Sequence, residues 1–207
     1  MPFRAVYGTI FHMSRENIEK LAHNWISAKP DEVDVQSEYY CQTRDVFQTR
    51  IDRMLRNLLS VEKIGDNRSY IISAIAGEIG NNSFDHNLGN WRDIPGIFFA
   101  YEILGSEVKI ALVDRGQGLF ATLEKVKPEL SDDQEALKTA FLERISGRAP
   151  ENRGNGLKFV KENVEEMKMH LLFYSGSAQA ELNAKMIVQE TSEKFEGCLA
   201  ILSVKLI

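Results

Sequence analysis

An α+β fold, with helices on a mixed, mostly antiparallel sheet, is what this sequence predicts, and three observations carry the prediction. Apolar residues recur at helical spacing in several separated stretches. Two β-rich runs flank the short turn LGSE, which gives an antiparallel hairpin at about 97–104 and 107–113. Three further β-prone runs, HLLFYS, AKMIVQ and CLAILSVKLI, close the chain. Helices, hairpin, long connection, helix and strands, in that order, favour helices on one face of the sheet, a two-layer α/β sandwich.

The elements follow in chain order. FRAVYGTIF, at 3–11, is β-prone and predicts a strand. Ser14 can cap the helix that follows, where Ile18, Leu21, Ala22, Trp25 and Ile26 share one face. SAKPDEVDVQSE reads as a loop, with Pro30 and several acids. Phe47, Ile51, Met54, Leu55 and Leu58 make the apolar stripe of a helix at about 43–60, and KIGDN ends that pattern. The next helix, about 68–86, has two unlike sides. Ile72, Ile75, Ala76, Ile79 and Ser83 share one, whereas Glu78, Asn82 and Asp85 form a polar row on the other.

Beyond the hairpin, residues 119–153 are mixed and hold one helix. Leu137, Ala140, Phe141 and Ile145 carry its stripe, and Ser131 with Gln134 forms its capping box. SGRAPENRGNG is irregular and Gly-rich, and a helix at about 157–167 follows it. No internal repeat or low-complexity segment is evident.

Bulk composition narrows the function classes. The 207 residues suit one domain with an extension, or two small domains. Hydrophobic residues at 43% allow a core of useful size. The net charge is −5, and basic residues alternate with acids, as in TRIDRMLRN, which argues against a nucleic-acid surface. The two cysteines, Cys41 and Cys198, are far apart, so neither a disulfide framework nor a zinc site is expected. The N-terminus lacks an apolar leader core, and no apolar run is long enough to span a bilayer, so a cytoplasmic protein without a membrane partner is the expectation.

Three polar clusters hold the candidate chemistry. In GEIGNNSFDH, Glu78 and Asn82 sit one helical turn apart. A carboxylate there can activate a nucleophile, and an amide oxygen can ligate a hard cation; a solvent-facing helix side fits the same pattern. In VDRGQG, Asp114 can accept from an exocyclic amine, while Gly116 and Gly118 let backbone approach a ligand; an ordinary strand-ending turn fits too. In RGNGLKFV, Gly154 and Gly156 open a helix whose free N–H groups suit phosphate, with Arg148, Arg153 and Lys158 nearby; a plain Gly-rich helix start is the alternative. The chain has neither a Walker-type loop nor a nucleophile elbow. Its four histidines, at 12, 23, 86 and 170, lack metal-binding spacing.

Together and in order, these clusters resemble the ATP site of the GHKL superfamily of gyrase B subunits, heat-shock chaperone ATPases, histidine kinases and MutL. EIGNNSFDH resembles the superfamily's N box, DRGQG its D-x-G-x-G box, and RGNGLKFV its second glycine box. The resemblance implies a Bergerat-type ATP-binding domain over 67–207, with a lid at about 119–153. Residues 1–66 would then be a strand and helical extension packed on that domain. It implies ATP (or ADP) and Mg²⁺ as ligands. Glu78 would be the general base, Asn82 the Mg²⁺ ligand and Asp114 the reader of the adenine amine. Gly116 and Gly118 would lie along the base, and Asn81 and Asp85 would be further polar contacts. Arg153, Gly154, Asn155, Gly156 and Leu157 would hold the phosphates.

Glu78, Asn82 and His86 are spaced as in the bacterial anti-sigma-factor serine kinases. Unlike those, this chain carries two N-terminal helices, and Gly197-Cys198 stands where the superfamily often has glycine-threonine. His23 is followed by Asn24 rather than an acid, so the phosphoacceptor motif of histidine kinases is missing. The expectation is therefore an ATPase or a kinase acting on a protein in bacterial signalling. A non-catalytic, nucleotide-gated interaction module is the alternative, and a homodimer is compatible with either.

Overall fold

The structure, a computed structural model, describes residues 17–144 and 156–206. The strand expected at 3–11, the Ser14 cap, Ile145, Arg148, Arg153, Gly154 and Asn155, and the lid's last stretch at 145–153, lie outside the described residues. The elements in chain order are α1 (Ile18–Ser27), β1 (Tyr40–Cys41), α2 (Arg44–Leu59), α3 (Asp66–Asn87), β2 (Ile97–Leu104), β3 (Glu107–Asp114), α4 (Gly118–Leu123), α5 (Asp133–Leu142), α6 (Gly156–Glu166), β4 (His170–Leu182) and β5 (Met186–Lys205).

The protein is α+β. The sheet runs β1-β2-β3-β5-β4, and every pairing among the described residues is antiparallel. The hairpin expected around LGSE is β2–β3, with Leu104 opposite Glu107. Of the three closing runs, the last two merge into the single long strand β5, which pairs with β4 on either side of its polar middle; the register shifts twice around Gly176.

Side chains alternate across a strand, so each strand feeds two faces. Ile97, Phe99, Ile110, Leu112, Ala200 and Leu202 join the core that holds the apolar sides of α2, α3, α5 and α6. Phe98, Ala100, Ala111, Val113, Leu199 and Ile201 face the other way and bury Ile18, Ala22, Trp25 and Ile26 of α1. The main helical layer thus covers one face, as expected, but α1 covers part of the second. The physical reason is legible in the strands: IFFA, IALV and LAIL are apolar at both parities, the pattern of strands buried on both sides.

Local chemistry sets the helix ends. Asn17 caps α1 by accepting from Glu19 N at 2.8 Å, and Thr43 caps α2 by accepting from Val46 N at 3.4 Å. The capping box of α5 is displaced by one residue from Ser131 and Gln134: Asp132 accepts from Glu135 N, while Glu135 reaches back to Ser131 N, both at 2.8 Å. On α3, a Cβ at Gly80 would overlap the Phe47 ring, so this glycine sets how closely α2 and α3 pack. No helix among the described residues is long and apolar enough to cross a membrane.

Candidate functional site

A cleft opens where α3 passes the end of β3 and the adjoining middle of β5, with about 880 Å³ of atom-free space including its mouth. Asn82, Ser83, His86 and Asn87 line it from α3, and Asp114 and Cys198 from the sheet. Gly118, Thr122 and Ala140 of α4 and α5, with Gly156 and Leu157 of α6, complete the wall. Its mixture of apolar lining and a few convergent polar groups is that of a small-molecule site.

Asp114, the last residue of β3, is buried at 2% exposure. Its Oδ2 accepts from the Ser83 hydroxyl at 2.7 Å, and its Oδ1 accepts from Gly116 N at 2.9 Å and from Asn87 Nδ2 at 3.2 Å. Burial raises the carboxyl's pKa; hydrogen bonding by Ser83, the Gly116 and Cys198 N–H groups and Asn87 pulls the other way. Asn87 also accepts from Gln117 N at 3.1 Å, so one amide ties α3 to both the carboxylate and the turn after it. A Cβ at Gly116 would collide with that amide, and Gly118 has φ +78°. These are close-approach and positive-φ positions that favour glycine.

From β4, Ser175 Oγ accepts from Leu119 N at 2.9 Å, which seats the start of α4 against the middle of that strand. The Cys198 thiol lies beside Ser175 Oγ at 3.7 Å, and burial pushes its pKa well up.

Glu78 is exposed, one turn before Asn82 and next to the start of α6. A Cβ at Gly156 would stand 2.6 Å from Glu78 Oε2 and 3.4 Å from Asn82 Nδ2. So Asn82, Asp114, Gly118, Gly156 and Leu157 share one cleft, with Glu78 at its edge and Gly116 behind Asp114. Asn81 and Asp85 do not share it. Asn81 Oδ1 accepts from Gln48 Nε2 at 3.0 Å, and Asp85 pairs with Arg44, so both side chains turn to α2. A helix advances its side chains by about 100° per residue, and the polar row of α3 is split between two neighbours.

Ser83, Asn87, Gln117 and Ser175 are site residues that sequence reasoning missed. Its spacing places Ser83 on the packing side, whereas in the structure it meets the polar residue that β3 presents at its end. The signal available was the i, i+4 spacing of Ser83 and Asn87 on the helix already carrying the polar row.

The residue after Asp114 faces the other way. The Arg115 guanidinium is fully buried and donates to the carbonyls of Trp25 (2.7 Å), Ile26 (2.9 Å) and Ala28 (2.8 Å) at the end of α1. No protein-family model matches the chain, and no curated protein does so either.

Proposed function

We propose that the cleft binds ATP with Mg²⁺ and that the protein hydrolyses ATP or transfers its phosphoryl group to a protein. One observation carries this reading: Asn82, Asp114, Gly118 and Gly156, from three motifs well separated in sequence, line a single cleft. The order of the three motifs, which resembles the GHKL superfamily, adds to it.

The donor set fits the metal. Among the described residues no three His, Cys, Asp or Glu side chains gather into a cage. Mg²⁺ in nucleotide sites is held largely by phosphate and water, with one or two protein oxygens. Asn82 Oδ1 is such an oxygen, and the lack of a Cβ at Gly156 leaves room beside it and the Glu78 carboxylate. When bound, Mg²⁺ would neutralise phosphate charge and orient the terminal phosphoryl group. Asp114 would accept from the base's exocyclic amine. The N–H groups at the start of α6 would face phosphate oxygens, favoured by the helix dipole. Glu78 would take a proton from the attacking water or hydroxyl.

A second reading, a nucleotide-gated interaction module, is favoured by one fact: Glu78 is exposed and lies at the cleft's edge rather than in its lining. Nucleotide would then act by changing how α4 and α5, which wall the cleft, meet a protein partner. In either reading the protein works in bacterial signalling in the cytoplasm.

Calorimetric titration with ATP, with and without Mg²⁺, tests the binding. Phosphate release by wild type and Glu78→Gln separates the two readings. The enzyme reading expects turnover in wild type and a drop of about 10²-fold or more in the variant. Equal ATP binding with no turnover in either leaves the module reading, and no ATP binding at all ends both.

A further inference from the structure

We infer that Asn87 is a specificity-determining residue, which rejects guanine by occupying the Asp114 oxygen that a guanine base would need. This rests on the nucleotide reading above and deepens it.

A carboxylate oxygen has two good lone-pair directions. Asp114 Oδ1 spends both, on Gly116 N at 2.9 Å and Asn87 Nδ2 at 3.2 Å. Oδ2 accepts from the Ser83 hydroxyl at 2.7 Å, and the Cys198 N–H also bonds this carboxylate; the Ser83 hydroxyl, which lines the cleft and can turn about its Cβ–Oγ bond, is the donor that a single ligand amine can replace.

The two purines differ in what they ask of a carboxylate. Guanine presents N1–H and the 2-amine side by side, a pair of donors that a carboxylate meets with both oxygens at once. Adenine presents a single amine next to the acceptor N1. With Oδ1 filled, the two-pronged guanine contact is blocked, and the single-donor contact with adenine is not. A guanine entering the cleft would bury at least one donor without a partner, the arrangement that gives strong discrimination.

Asn87 is held in this role from its other end. Its Oδ1 accepts from Gln117 N at 3.1 Å, which fixes the amide with its N–H₂ toward Asp114. The residue is 4% exposed, so water does not take its place.

Binding of ATP, GTP and ITP, each with Mg²⁺, to the full chain tests this. ITP is GTP without the 2-amine. In wild type, ATP should bind best, and ITP, which offers only the N1–H donor, should bind no worse than GTP, whose 2-amine has no acceptor to meet. In Asn87→Leu, GTP should tighten relative to ATP by about tenfold while ITP does not. Wild type binding GTP clearly better than ITP would overturn the inference without any variant, and so would a folded Asn87→Leu with an unchanged ATP-to-GTP ratio. Both results leave ATP binding standing. Wild type that binds none of the three would remove the nucleotide reading, and this inference with it.

Discussion

Arg115 and Asp93 form a two-pronged ion pair, Nε to Oδ1 at 2.8 Å and Nη2 to Oδ2 at 2.6 Å, around a guanidinium with no solvent exposure. With the three carbonyls of α1's end, this pair accounts for all five guanidinium donors. Removing one partner of such a pair leaves an uncompensated buried charge. Asp93→Ala should therefore cost about 3–5 kcal/mol. Urea unfolding followed by tryptophan fluorescence measures it, since Trp25 lies under the same guanidinium at 5.8 Å. A loss well under 1 kcal/mol would mean that the α1 carbonyls suffice to hold Arg115.

The same pair sets an acid dependence. Hydrogen bonding from Arg115, opposed in part by burial, lowers the Asp93 pKa from 3.8 to about 2. A carboxyl with a lower pKa in the folded state than in the unfolded state contributes stability above the unfolded value and loses it as pH falls. The loss should run from about pH 4 down to pH 2 and amount to about 1–2 kcal/mol, after screening at the edge that solvent reaches. Unfolding midpoints against pH for wild type and Asp93→Asn check this; the variant's curve should be flatter over that window.

Asp114 has the opposite sign. Burial raises its pKa, so the folded state favours the neutral acid, and ionising it at neutral pH costs stability. Asp114→Asn keeps the shape and an acceptor for Asn87 and Gly116, and its new amide can donate to Ser83. Its melting temperature at neutral pH should rise, by about 2–4 °C for each kcal/mol relieved. That gain should shrink as pH falls into the carboxylate range, where wild-type Asp114 becomes neutral by itself. ATP binding should weaken in the same variant, because the acceptor facing the base is replaced by a donor.

Much of this architecture was legible in periodicity. The apolar stripe of α2, the β2–β3 hairpin and the helix beginning near Gly156 all follow from spacing and turn residues. What was not legible depended on three-dimensional partners. Arg115 sits inside DRGQG, where nothing in the spacing marks it, yet it is buried because α1 ends over it and offers three carbonyls to its guanidinium. Asp85 reads as part of one polar row with Glu78 and Asn82, and Asn81 as a further contact that the resemblance implies, but α2 supplies Arg44 and Gln48 to meet them. Ser83 reads as packing because its neighbours on that side are apolar. Only the register that sets Asp114 opposite Cys198 on β5 brings the carboxylate to the cleft.

Two glycines give the sharpest contrast between fold and site. At Gly197, φ is +124°, and a Cβ would overlap the Asp114 carbonyl and stand 3.1 Å from Arg115 Cα. Both obstacles are backbone of the central strand end, which has no room to yield, so Gly197→Ala should destabilise by about 2 kcal/mol or more. At Gly156, the Cβ would meet Glu78 Oε2 at 2.6 Å and the Asn82 amide from 3.4 Å. The first is the far end of an exposed, flexible side chain, and the backbone needs no positive φ. Gly156→Ala should therefore fold with a melting temperature near that of wild type; within a helix, alanine is even the better former. Its effect should fall on the ligand. Displacing Glu78 and crowding Asn82 should weaken Mg²⁺-dependent ATP binding by about tenfold, a shift on the order of 1.4 kcal/mol. Thermal melts and calorimetric titrations on both variants separate the two outcomes. Gly156→Ala binding ATP as tightly as wild type would mean that phosphate does not approach this helix end, and Glu78 would lose its assigned role.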